Sequence, residues 1–256
     1  MGFTRIRGTV IAAVLLLSLS GCAGNDLPVD AAPADILTYA EAKLAKGKYV
    51  DAIEGLEHLV RSYPGTKLIP RAKLRLGDAH YGIEEYVLAR AEYEDVVEDY
   101  PASPFVEEAR FKIARCSYAG ILRYDLDPTE TEQAIRLLRD FRRDYPNSSY
   151  LAEADAALAD CRDRLARREY VTGRFYEKRH RFRSAKIEYE FVRTNYPETA
   201  WATKAALRLG EIFRSREEWD TARSWYRIVL QEAPDSDEAD AARAALAELP
   251  GAGEAS

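Results

Sequence analysis

The sequence predicts an all-α solenoid of five helical hairpins ending in a capping helix. Three observations carry this. Pro64, Pro101, Pro146, Pro197 and Pro234 stand 37, 45, 51 and 37 residues apart, and the first four each follow a tyrosine. A hydroxyl residue lies two positions after each proline, at Thr66, Ser103, Ser148, Thr199 and Ser236. Between these marks, aliphatic, small and aromatic residues recur at three-to-four-residue spacing, which puts them on one face of a helix. Proline lacks an amide hydrogen and closes the second helix of each unit. The hydroxyl can accept from the free amides of the next helix's first turn, so it is expected to be that helix's N-cap.

The cleanest unit runs from Thr203 to Pro234, with Leu209, Gly210, Phe213, Ala222, Tyr226 and Val229 in the consensus positions of a tetratricopeptide (TPR) repeat. Gly210 and Ala222 are small so that two helices can approach. Leu209, Phe213, Tyr226 and Val229 fill the seam. A TPR unit needs about 34 residues, so the 37-residue spacing adds about three connecting residues. The 45- and 51-residue spacings add a further 8 and 14.

From residue 1, Arg5 and Arg7 precede an apolar run from Val10 to Leu19. Ten residues of helix reach only about 15 Å, half a bilayer core, so the run reads as a signal peptide over 1–21. Leu19-Ser20-Gly21-Cys22 resembles the bacterial lipobox, which makes Cys22 the expected lipidation site, on a tether over 22–33. The lipobox resemblance, with Ala23 rather than Asp after the cysteine, implies an outer-membrane address. Loss of residues 1–21 removes two arginines and takes the net charge from −6 to −8. So acidic a chain is a poor ligand for nucleic acid.

The repeats are expected at about 34–64, 70–101, 107–146, 152–197 and 203–234, the capping helix at 236–249 and a flexible tail at 250–256. In repeat three the second helix is delayed across Gly120 to Thr131, where Asp127-Pro128-Thr129-Glu130 reads as a turn into a helix start. Repeat four carries uninterrupted helical periodicity from Leu151 to about Gly173, so its first helix is expected to be long.

Cys116 and Cys161 each lie 16 residues after a junction tyrosine, in the same slot of successive repeats. Stacked helices stand about 8 to 10 Å apart, too far for a disulfide, so small buried thiols are expected. His58, His80 and His180 have no ligand spacing with either cysteine, and no cofactor is implied. There is no nucleophile elbow, Walker loop or His-Glu-x-x-His, and the many carboxylates follow the period of a solvated helix face. The chain therefore reads as a binding protein, not an enzyme.

One charge cluster departs from the acidic whole. Arg162, Arg164, Arg167, Arg168, Arg174, Lys178, Arg179, Arg181 and Arg183 stand against Asp163, Glu169 and Glu177. It reads either as a charged helix with internal pairs or as a docking face for an acidic partner or lipid headgroups.

The run Tyr145-Pro-Asn-Ser-Ser-Tyr150, then Arg162-Asp163-Arg164-Leu165-Ala166, Glu169-Tyr170, Phe175-Tyr176 with Arg179, and Tyr196-Pro-Glu-Thr199 resembles the corresponding stretch of the BamD family, the five-TPR lipoproteins of outer-membrane β-barrel assembly. The resemblance implies a non-catalytic subunit of that machinery. Its C-terminal repeats would bind the soluble periplasmic domains of the BamA-like barrel assembly protein, and its N-terminal repeats would bind unfolded outer-membrane proteins. Other assembly lipoproteins are possible further partners. For the assembly partner the candidate residues are Arg174, Arg179, Arg181 and Arg183. For the substrate peptide, a concave face made by the first helices suggests Leu44, Leu74, Tyr81, Phe111 and Tyr118, each of which could instead be inter-helix packing. The rival is a lipid-anchored periplasmic TPR adaptor in peptidoglycan or Tol-type envelope coordination.

Overall fold

The computed structural model describes residues 31–123 and 128–250. Among them are eleven helices and no strands. Five antiparallel hairpins follow one another: α1 (Pro33–Ala45) with α2 (Tyr49–Ser62), α3 (Ile69–Gly82) with α4 (Tyr86–Asp99), α5 (Val106–Arg123) with α6 (Pro128–Asp144), α7 (Leu151–Lys178) with α8 (Phe182–Asn195), and α9 (Ala200–Ser215) with α10 (Trp219–Glu232). A single helix, α11 (Asp237–Glu248), closes the stack. Each helix packs on its neighbours in sequence, and α1 with α3, α5 with α7, and α7 with α9 also touch. This is the predicted TPR solenoid. Cys22, the signal peptide, most of the tether, Asp127 and the tail after Pro250 lie outside the described residues.

Glycine and tyrosine lock three of the hairpins in the same way. A Cβ on Gly77, Gly173 or Gly210 would lie 2.4, 2.6 or 2.5 Å from a ring carbon of Tyr93, Tyr189 or Tyr226. Each ring is buried flat on the bare backbone, and its hydroxyl donates to a carboxylate of the first helix. Tyr93 donates to Asp78 at 2.8 Å, Tyr189 to Glu177 at 2.6 Å and Tyr226 to Glu211 at 3.2 Å. Burial raises the pKa of all three phenols. Repeats one and three solve the same space with Ala40 and Leu56, and Ala114 and Leu138, each pair in one buried cluster.

The two expansions extend helices rather than loops. α7 has 28 residues against 14 in α3, so it absorbs the whole 14-residue excess of repeat four. At 3.6 residues per turn, 14 residues make about 3.9 turns, and the helix returns nearly to the same face. α7 is therefore a first helix written twice. Ala154, Leu158, Cys161 and Leu165 pack with α5 and α6, whereas Ala166 joins α8 and α9. In repeat three the excess goes into α5, with 18 residues, and α6, with 17.

The turns inside the other four hairpins, which are described throughout, share a left-handed residue. Gly47, Glu84, His180 and Glu217 have φ of 68°, 64°, 58° and 62° and occupy one column of the repeat. Only glycine adopts this region without a Cβ penalty. Glu217→Gly is therefore expected to raise stability by about 0.5–1 kcal/mol, and Gly47→Ala to lower it by about 1 kcal/mol, both read by chemical denaturation.

The hydroxyls after the prolines differ from expectation in part. Ser236 is an N-cap, accepting from the Ala239 amide at 3.1 Å. Thr199 stands at the N-cap of α9, but its hydroxyl donates to the Tyr196 carbonyl at 2.9 Å. Thr66, Ser103 and Ser148 accept from the amide two residues on, at 3.4, 3.2 and 3.1 Å, and α3, α5 and α7 begin one residue later still. A local turn before these three helices takes the hydroxyl before the helix can.

Cys116 and Cys161 are buried free thiols, as the slot argument expected. Burial pushes both up to about 12, which leaves them protonated and inert.

Candidate docking surfaces

The doubled α7 leaves a face of the fold uncovered. In α5 and α9 the slot facing the preceding repeat holds Cys116 and Ile212, 2% and 3% exposed. Cys116 packs with Ala89 and Tyr93 of α4, and Ile212 with Ala185 and Tyr189 of α8. α7 carries this slot twice. Cys161 fills it against α6. Phe175, 14 residues later, has no preceding second helix to meet and is 49% exposed.

Phe175 is not alone. Val171, four residues earlier on α7, and Ile187 and Phe191, four apart on α8, are also exposed. Gly173 lies against Tyr189, and the same antiparallel register sets Phe175 level with Ile187 and Val171 level with Phe191. In the column of Ile187 and Phe191, repeat one has Glu54 and His58 and repeat three has Arg136 and Asp140. Repeat two has Ala91 and Asp95, and repeat five Ser224 and Ile228, so this hairpin alone has a large apolar residue at both places. Burial first, and then the Glu169 charge, hold the Glu188 carboxyl above its ordinary range.

The predicted arginines divide between two places. Arg179, Arg181 and Arg183 sit at the tip of the α7–α8 hairpin. Arg179 stacks on Phe175, with its guanidinium carbon 3.6 Å from the ring centre. Arg181 and Arg183 line a shallow cavity of about 420 Å³ with His180, Phe182 and Arg216. All three tip arginines are exposed. Arg174 stands apart from them: its charge acts on Arg208 of α9 and on Tyr189, so it belongs to the first-helix side. Elsewhere Arg162 pairs with Glu198 and Arg164 with Asp160, both acids outside the stretch, while Glu177 pairs with Arg208 of α9.

A second surface lies among the first helices of the N-terminal repeats. Tyr49, Asp78, Tyr81, Gly82, Tyr86, Tyr93, Lys112 and Arg115 enclose much of a cavity of about 530 Å³. Tyr81 is its centre, with Tyr86 at 5.1 Å between ring centres and the Arg115 guanidinium 4.7 Å above the ring. Asp78 accepts from Tyr93 and Lys112 and pairs with Arg75 at 2.7 Å. Sequence reasoning missed Tyr49 and Tyr86, whose signal was their place at the start of the second helices, in the column of Phe182 and Trp219.

Of the expected peptide-binding residues, Tyr81 lines this cavity. Leu44 and Tyr118 are half-buried, and the Tyr118 hydroxyl donates to Asp160 at 3.1 Å. Leu74 and Phe111 are corrections. Leu74 is fully buried with Tyr93 and Val96, and Phe111, 2% exposed, stacks on Tyr150 at 4.7 Å, so neither offers a surface. Both hold packed helices together, the alternative that repeat phase alone left open.

The outer membrane lipoprotein family YfiO matches residues 29–242, and so spans the whole solenoid as far as α11. The chain belongs to this family. Proteins named outer membrane protein assembly factor BamD are similar to it along most of its length. That of Caulobacter vibrioides is 28% identical over 80% of this chain and 69% of its own. That of Vibrio cholerae is 26% identical over 76% and 86%, and that of Rickettsia prowazekii 26% over 92% and 94%. The family match thus agrees with the resemblance read from Tyr145 to Thr199. Among the described residues no helix is long and apolar enough to cross a membrane.

Proposed function

We propose that this chain is a non-catalytic subunit of the outer-membrane β-barrel assembly machinery, anchored to the membrane by lipid on Cys22. In this reading the α7–α8 hairpin docks the soluble periplasmic domains of the barrel-forming assembly protein. The tyrosine-lined cavity of repeats one to three receives extended segments of unfolded outer-membrane proteins. The observation that carries the reading is the uncovered apolar face beside three exposed arginines, in a chain of an outer membrane lipoprotein family whose similar relatives are named outer membrane protein assembly factors. An apolar centre with a charged rim is the composition of a protein interface.

The test is affinity purification of the tagged, full-length protein from solubilised outer membranes, with identification of its stoichiometric partners. Recovery of a β-barrel protein carrying repeated periplasmic domains is expected. Recovery of peptidoglycan-linked or Tol-type proteins without that barrel would move the function to an envelope adaptor. Reversal of Arg179, Arg181 and Arg183 to glutamate is expected to weaken docking about tenfold or more and to leave helical content unchanged, because all three are exposed.

A further inference from the structure

The docking reading leaves open what form of chain covers the α7–α8 face, and the stack itself supplies the pattern. In repeats three and five the first helix meets two neighbours. The residue two after Ala114 or Gly210 is Cys116 or Ile212, and it shares a buried cluster with an alanine and a tyrosine of the preceding second helix: Ala89 and Tyr93 of α4, or Ala185 and Tyr189 of α8. The residue two before is Lys112 or Arg208, which pairs with an acid of the preceding first helix, Asp78 or Glu177. In the second half of α7 these two places belong to Phe175 and Val171, because Gly173 lies against Tyr189 as Gly210 lies against Tyr226. Both are exposed, and Val171 puts an apolar group where the other repeats carry a cation. The vacancy thus has the place of a second helix and an apolar floor.

Resting on the docking role proposed above, we infer that the partner covers this face with an amphipathic α-helix, laid where the preceding repeat's second helix would lie. α4 and α8 have 14 residues each, so the incoming helix has about four turns. Phe175 is larger than Cys116 or Ile212, and the helix therefore carries a small residue over it. Second helices in the stack run antiparallel to first helices, so the occupant runs parallel to α8 and begins at the hairpin tip. Arg179, Arg181 and Arg183 are exposed there. Acids in a helix's first turn answer the positive end of its dipole, and here they also meet three cations. The occupant therefore has an acidic first turn, then an apolar stripe over Phe175 and, one turn on, Val171. An extended segment is disfavoured, because the described residues offer no strand edge to which its backbone could bond.

The experiment places a photo-crosslinking amino acid at Val171, Phe175 or Arg183, one at a time, in the full-length protein in detergent. The probe is the recombinant periplasmic domains of the barrel assembly protein from the same organism, whose binding to the wild type and to each variant is first measured by calorimetry. All three positions are exposed, so the fold is expected to accept the change. Mapping of the cross-links by mass spectrometry is expected to find one helix of the partner, with its first turn captured from position 183, a later turn from 175, and residues about four further on from 171. Changing the acids of the captured first turn to lysine is expected to weaken binding about tenfold, and Arg181→Glu with Arg183→Glu to restore it. Capture of a strand or a loop, or of a helix in the reverse order, would overturn the inference and leave the docking reading standing. Binding without capture from Val171 or Phe175, or no binding by the wild type, would overturn the docking reading and the inference with it.

Discussion

Gly210→Ala is expected to destabilise the protein by about 3 kcal/mol, although it adds one methyl group to a helix and improves helix propensity. The new Cβ would lie 2.5 Å from Cε1 of Tyr226, and that ring is fully buried with its hydroxyl on Glu211. Neither the ring nor the backbone beneath it has room to withdraw, so the two helices of repeat five must separate. The same chain shows how to repair the damage. Repeats one and three place Leu56 and Leu138 where the others have tyrosine, and there the facing residue is Ala40 or Ala114. Tyr226→Leu alone leaves a cavity and is expected to cost about 2–3 kcal/mol. The double variant Gly210→Ala with Tyr226→Leu recreates the alanine-leucine pair. It is expected to lose at least about 1 kcal/mol less than the sum of the single losses, measured as a double-mutant cycle by denaturant unfolding. Strict additivity would mean that the glycine is not there to receive the ring.

Phe175→Asp combined with Ile187→Asp is expected to abolish docking, a loss of more than about a hundredfold in affinity, with stability changed by no more than about 0.5 kcal/mol. The two side chains are 49% and 57% exposed in the free protein, so little packing is lost when they are replaced. In a complex they stand level with each other at the centre of the face, where a buried aspartate has no partner and its desolvation is uncompensated. The same pair of changes at exposed valines elsewhere, Val50→Asp and Val87→Asp, is the control and is expected to leave docking unaltered.

Most of the architecture was legible because it repeats. A column of prolines, a column of small residues facing tyrosines, and a 14-residue excess with unbroken helical period fix the hairpins and the length of α7 without any contact information. The left-handed turns went unread, although Glu84, His180 and Glu217 stand in the column of Gly47. What escaped depends on neighbours. Leu74 and Phe111 have the phase of a concave face, yet α4 and Tyr150 cover them, and phase cannot see a cover. The hydroxyls of Thr66, Ser103 and Ser148 precede helices in sequence, but their reach is set by where the helix begins, three residues on. The uncovered face is the converse case. It exists because repeat three packs on the first half of α7 and no preceding repeat packs on the second, and the trace in the sequence is that Ile187 and Phe191 are both large and apolar where repeats one and three carry Glu54, His58, Arg136 and Asp140.

Hydrogen exchange across the full-length protein, with and without the periplasmic domains of the barrel assembly partner, tests the central claim most directly. The account predicts new protection in the second half of α7, from about Arg168 onward, and in α8, with repeats one and two exchanging as before. Protection confined to the N-terminal hairpins, or absent from α7 and α8, would contradict it.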